Sequence, residues 1–276
     1  MKNQKSILAI SVALLVGGGS SAFGQVANPI RSVPQKGMYS ITPEFSVETS
    51  DSGKFVDSAS VTYSAAGVFS GVNVSAAATL STQAKNFNDV YKDGTSVGAS
   101  LNYGLNESTE VFGRVRYTEA TAKEFDALNV SVAVTVGAQA ITGAANLQGK
   151  LSDYKSWGGE LGVRYFLSTD SAFKPYVAPS IGFAQVDEIN LQYMRFQGRD
   201  VFSRPLKFYG ASTSYTVGLG VGFRYDIAKN MALGVESGIR FQDSLSANNA
   251  DLGTYKANGS GQRTYIPVTI GLNIGF

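Results

Sequence analysis

The chain closes on TIGLNIGF, Thr269 to Phe276, in which Ile270, Leu272, Ile274 and Phe276 alternate with Thr269, Gly271, Asn273 and Gly275. A strict period of two is the signature of a strand with one apolar face. It continues to an aromatic residue, whereas chain ends ordinarily fray into polar residues. The pattern therefore reads as a strand that closes something, and the rest of the sequence repeats it.

In NVSVAVTVG the side chains of Val130, Val132, Val134 and Val136 share one face, with Ser131, Ala133 and Thr135 on the other. In YTVGLGVGFRYD the residues Tyr215, Val217, Leu219, Val221, Phe223 and Tyr225 oppose Thr216, Gly218, Gly220, Gly222 and Arg224. β-Branched residues at alternate positions suit a pleated strand better than a helix. Periodicity leaves inside and outside open, since a soluble sandwich and a transmembrane barrel are mirror images in this respect. Three features decide for the barrel. Many runs approach the ~9–11 residues that a tilted strand needs to cross a bilayer. Tight turns at YGLNESTEVF, YFLSTDSAF and YDIAKNMAL alternate with long polar loops such as Asp187 to Ser212 and Ser244 to Arg263, as in outer-membrane barrels. Tyr63, Tyr103, Tyr165 and Tyr225 precede short turns and Phe69, Phe112 and Phe173 follow them, at the level expected of an interfacial girdle.

Composition narrows the function. Charged residues are 16% of 276, the net charge is +2, and cysteine and histidine are absent. No basic patch suggests nucleic acid. Without cysteine there is no disulfide, thiolate site or lipidated cysteine. Without histidine there is no Ser/His/Asp triad, so no catalytic, cofactor or metal site is expected. At the start, Lys2 and Lys5, the apolar run Ile7–Val16, and Ala22 and Gly24 before Gln25 predict a signal peptide over 1–24, leaving a barrel over 25–276.

On these residues the chain resembles the Gram-negative outer-membrane β-barrel proteins. The resemblance covers nearly all of the mature chain. It implies an all-β, transmembrane, antiparallel up-and-down barrel in the bacterial outer membrane, with both termini periplasmic. It also implies that Ile270, Leu272, Ile274 and Phe276 form the signal read by the β-barrel assembly machinery, and that outer-membrane lipid and lipopolysaccharide are partners. The oligomeric state stays open.

Eight spans stand out, near 38–49, 95–105, 109–119, 157–167, 173–186, 213–225, 230–242 and 264–276. The gaps at 50–94 and 120–156 are long for structureless loops, and each contains a credible hairpin: 55–64 with 68–80, and 126–136 with 140–150. Adding both predicts twelve strands, with eight or ten as alternatives. Counting from the turns places Glu110, Arg114, Arg116, Glu160, Arg164, Arg224, Glu236 and Arg240 in the lumen. There they form either ion pairs that fill the barrel or a charged constriction that selects solutes. EFSVE sets Glu44 and Glu48 on one face, read as lumen wall or rim. In the loop after Asp187, Arg195, Arg199, Arg204 and Lys207 alternate with aromatic residues. Three roles stay open for it: contact with lipopolysaccharide phosphates, an inward plug, or a cap. The functional expectation is a non-enzymatic envelope barrel whose loops meet surfaces or ligands, with a diffusion channel as the alternative.

Overall fold

A computed structural model describes residues 35–69, 71–201, 204–247 and 258–276. The expected signal peptide lies outside these residues. The chain enters as β1 (Tyr39–Ser52), forms β2 (Lys54–Val56), the hairpin β3 (Ala59–Phe69) and β4 (Val72–Thr82), then β5 (Lys85–Asn86) and the one-turn helix α1 (Phe87–Val90). It runs back and out as β6 (Gly94–Gly104) and β7 (Thr109–Ala120), followed by the hairpin β8 (Glu124–Val136) and β9 (Gln139–Leu151). Next come β10 (Tyr154–Phe166), β11 (Phe173–Val186), β12 (Ile189–Phe196), β13 (Arg199–Asp200) and β14 (Leu206–Tyr209). The last three are β15 (Ser212–Ala228), β16 (Met231–Gln242) and β17 (Arg263–Gly275).

Eight of these strands close a barrel in the order β1-β17-β16-β15-β11-β10-β7-β6. Every pair is antiparallel, and β1 and β17 seal the ring over Ile41↔Ile274 and Phe45↔Ile270. The Phe276 amide donates to the Tyr39 carbonyl at 3.0 Å. A closed ring leaves no edge groups for lipid to strand. The barrel strands coincide with the eight spans that stand out in the sequence.

The expectation of twelve strands is corrected to eight. Both edges of β1 are taken, by β6 and β17, and β7 pairs directly with β10 from Thr109↔Tyr165 to Ala120↔Tyr154. No edge remains for the hairpins read at 55–64 with 68–80 and at 126–136 with 140–150. They leave the barrel and join β12, β13 and β14 in a second sheet, ordered β13-β12-β9-β8-β4-β3 with β14 on β12. Alternation brought them into the count because a two-faced sheet outside the barrel has the same period as a strand within it.

The barrel is apolar outside and polar inside. Leu161 is 67% exposed and Val115 60%, against 2% for Arg164 and Glu110. Such a belt is at home only in lipid, so the fold is that of an outer-membrane β-barrel. Aromatic residues mark both rims. At the end with the short turns, Tyr39 lies 4.9 Å from Tyr103 and 6.4 Å from Phe276, near exposed Tyr165, Phe173 and Tyr225. At the loop end Tyr117 meets Trp157 at 5.1 Å, near exposed Phe183 and Tyr215. Two residues leave the expected girdle. Tyr63 belongs to β3, outside the barrel, and Phe112 points into the lumen because Val111 holds the lipid side of β7. The side chain of Phe69 lies outside the described residues.

Candidate functional site

The eight-strand count sets the interior. At this size a barrel is just wide enough for its own side chains, and the strand pairing aligns charges of opposite sign. β7 carries Glu110 and Arg114, and β10 carries Arg164 and Glu160. In their register Glu110 faces Arg164 and Arg114 faces Glu160. Each is an inward position, so the charges meet out of lipid.

At the level nearest the short turns, Glu110 binds Arg164 Nη1 at 2.7 Å and Arg224 Nη1 at 2.9 Å. At the same end Lys174 pairs with Asp226. At mid-height Glu236 accepts from Arg114 at 3.1 Å, Arg164 at 3.4 Å, Arg240 at 3.4 Å and the Tyr176 hydroxyl at 3.1 Å. Glu44 pairs with Arg114 Nε at 2.8 Å and accepts from Ser100 at 2.8 Å. One layer higher, Glu160 binds Arg116 and Arg240, both at 3.0 Å, and Arg114 at 3.3 Å. At the top Glu48 pairs with Arg263 and, at 3.6 Å, with Arg116.

Among the described residues this interior counts five glutamates (44, 48, 110, 160, 236) against six arginines (114, 116, 164, 224, 240, 263), and each arginine has a carboxylate partner. The arginines also stack: Arg164 lies 4.2 Å from the Phe112 ring centre and Arg224 5.3 Å from that of Phe166. Glycines make the room. A Cβ on Gly162 would come within 2.4 Å of the Phe112 ring, and one on Gly222 within 2.7 Å of the Tyr176 hydroxyl. Two pockets within the network measure about 30 and 20 Å³, room for a water or two each.

All eight expected lumen charges thus face inward, with Arg224 toward the short-turn end and Arg116 and Arg240 toward the loops. Glu44 and Glu48 join the network rather than only lining the wall. Arg263, Lys174 and Asp226 escaped the sequence reading. Arg263 was legible in principle, because Ile266, Val268 and Ile270 hold the lipid face of β17 and its odd-numbered positions therefore turn inward.

An apolar cap lies over the loop end. Phe55, Phe87, Tyr91, Tyr154 and Tyr209 pack ring to ring with centres 4.7–6.1 Å apart, among Val90, Leu151, Ile189, Phe208 and Leu245. Their hydroxyls are used internally: Tyr209 donates to the Phe55 carbonyl at 2.6 Å and Tyr91 to the Ser152 carbonyl at 3.0 Å. Burial pushes the Tyr91 hydroxyl well above its ordinary value, reinforced by Tyr154 and Asp153 nearby, so it remains a donor. The cap rests on the network through Arg263, whose guanidinium lies 4.6 Å from Phe87 and 5.2 Å from Tyr154.

The loop after Asp187 divides its roles. Phe208 and Tyr209 enter the cap. Arg195 pairs with Asp200 at 2.8 Å and stacks on Tyr193 at 3.9 Å, and the bond to Asp200 holds its guanidinium above the ordinary range. Lys207 pairs with Glu188 at 2.8 Å, while Arg199 and Arg204 are exposed. No group of His, Cys, Asp or Glu suited to a metal occurs among the described residues.

No protein-family model and no curated protein matches the chain. Solved structures similar to it are outer-membrane barrels. OprG of Pseudomonas aeruginosa is 15% identical over 89% of this chain and 99% of its own, with a TM-score of 0.39. Neisserial surface protein A is 14% identical over 86% and 97%, at 0.43. Ail of Yersinia pestis is 10% identical over 88% and 100%, at 0.37.

Proposed function

We propose that this is a non-enzymatic barrel of the bacterial outer membrane, with both termini periplasmic, whose lumen is structural and whose working surface is the folded loop region. The observation that carries this reading is the interior: layered ion pairs under an aromatic cap, with pockets of about 30 and 20 Å³ among the charges. A diffusion channel needs unfilled width, and a charged constriction needs charges that face solute rather than each other. Here the charges face each other. The loops, by contrast, form a second sheet of their own, an investment that a mere connection between barrel strands does not need. In the loop after Asp187, the exposed Arg199 and Arg204 suit lipopolysaccharide phosphates.

Conductance tests the reading. Purified protein added to a planar bilayer should give no discrete current steps above baseline over the usual voltage range. Stable, reproducible steps from folded protein would overturn it.

Assembly provides a second expectation. Phe276 stacks on Tyr39 and its amide joins β17 to β1, so it completes the seam that the assembly machinery would close. Phe276→Asp should lower the fraction of protein that migrates as the compact, heat-modifiable form in outer-membrane preparations. Normal folded yield would remove the residue from the assembly signal.

A further inference from the structure

The second sheet has one edge that the fold leaves open. β3 pairs with β4 in unbroken register from Ala59↔Thr82 to Phe69↔Val72, and among the described residues no strand pairs with its other side. Edge strands are normally blunted by brevity, charge, proline or a bulge. β3 has eleven residues, no charged residue, no proline and no register shift. At the opposite end of the same sheet β13 is two residues long and consists of Arg199 and Asp200, which is the ordinary protection.

The neutrality extends well beyond the edge. No charged residue occurs from Ser58 to Ala84 or from Leu128 to Gly149. Both faces of the outer part of the sheet reach solvent: Val132, Val136 and Ile141 are exposed on one, and Ser131, Ala133 and Thr142 on the other. A shallow hollow of about 370 Å³ is lined by Ala77, Thr79, Ser131, Ala133 and Thr142 together with Val132, Gly143 and Ala144, none of them charged.

We infer that β3 is a docking edge for the β3 of a second copy of this chain. The inference rests on the reading of the loop region as the working surface and names its partner. Two features favour a second copy over a foreign strand. A two-fold contact sets a surface against itself, so a charged patch repels its mate, and only a neutral one joins without that cost. β3 is also complementary to its own reverse. An antiparallel two-fold centred on Ser64 places Tyr63 opposite Ala65, Val61 opposite Gly67 and Thr62 opposite Ala66. Large residues meet small ones, and the apolar face continues as apolar across the junction.

The direction of the strands places the partner. The hairpins are buried at their bases, at Phe125, Leu147 and Thr82, and exposed at their tips, at Gly71 and Gly137. An antiparallel mate therefore has its base beside the first copy's tip, and the two barrels point toward each other. The pair joins two facing membranes rather than two positions in one.

The absence of cysteine from the native chain makes the test clean. Full-length protein is reconstituted into phosphatidylcholine vesicles, and preparations in which a protease-treated aliquot reports outward-facing loops are used untreated. Wild-type vesicles should cluster, with light scattering rising several-fold. Ser64→Lys, which sets two like charges together at the axis, should abolish clustering while the protein keeps its heat-modifiable migration. Ser64→Cys should give a disulfide dimer on oxidation, since directly opposed antiparallel residues lie ~4.5–5.5 Å apart at Cα. Thr142→Cys, away from the edge, should stay monomeric.

Dispersed wild-type vesicles, clustering that survives Ser64→Lys, or equal cross-linking at Thr142 would each overturn the inference. So would equal binding to protein-free vesicles, which would make lipid the occupant. Conductance is read separately, so a silent barrel that does not cluster refutes the self-docking edge and leaves the filled-barrel reading standing.

Discussion

Glu236→Gln should destabilise the folded barrel by about 3–5 kcal/mol, the range for removing one partner of a well-buried ion pair. Glu236 is the carboxylate on which Arg114, Arg164 and Arg240 converge, and its side chain is 6% exposed, against 1%, 3% and 7% for theirs. The amide keeps the shape and still accepts from Tyr176. What disappears is the negative charge, which leaves the interior with five glutamates reduced to four against six arginines. Urea titration of the folded form, followed by heat-modifiable migration, measures the effect. Glu119→Gln is the matched control, because its pair with Lys155 is at 3.9 Å and half exposed, worth about 0–1 kcal/mol. Equal midpoints for the two variants would show that the lumen is wet enough to screen its charges, and the filled-barrel reading would fall with them.

The second large effect separates barrel from sheet. Leu219 lies midway along β15 and faces lipid. Leu219→Arg should cost ~2–4 kcal/mol, as for a cation at the bilayer midplane, and should sharply reduce folded yield. Val134→Arg places the same charge on β8, which pairs only with β4 and β9 outside the ring, and should leave folded yield close to wild type. If Val134→Arg impairs insertion as severely as Leu219→Arg, the hairpin lies in the membrane and the eight-strand ring is wrong.

Much of this molecule is written locally. Once strand length, turn length and the aromatic positions decide for a barrel, the facing of each strand follows from its alternation. That is why Arg114, Arg116, Arg164, Glu160 and Glu236 could be turned inward without a structure, and why Ile270 and Leu272 could be turned outward. Tight turns at Asn106 and Lys229 identify one rim. The cap was not legible, because Phe55 and Phe87, then Leu151, then Tyr209, then Leu245 come from four connections scattered across the chain. A hydrophobic cluster assembled from four connections has no period.

Which strands are neighbours is settled only when the chain folds. A period of two states that a strand has two unlike faces; it carries no information about what lies across its edges. With the 126–150 segment counted as a membrane hairpin, two strands separate β7 from β10, and Glu110 no longer stands beside Arg164 nor Arg114 beside Glu160. Once that hairpin is expelled into the outer sheet, Glu110 meets Arg164 and Arg114 meets Glu160 directly across the ladder. Ring size follows from that pairing, and ring size determines whether the arginines line a pore or lock a core. Alternation, turn lengths and aromatic positions specify a barrel with charged side chains inside. Whether those charges face water or one another is a property of strand adjacency, set by backbone hydrogen bonds between residues far apart in the chain.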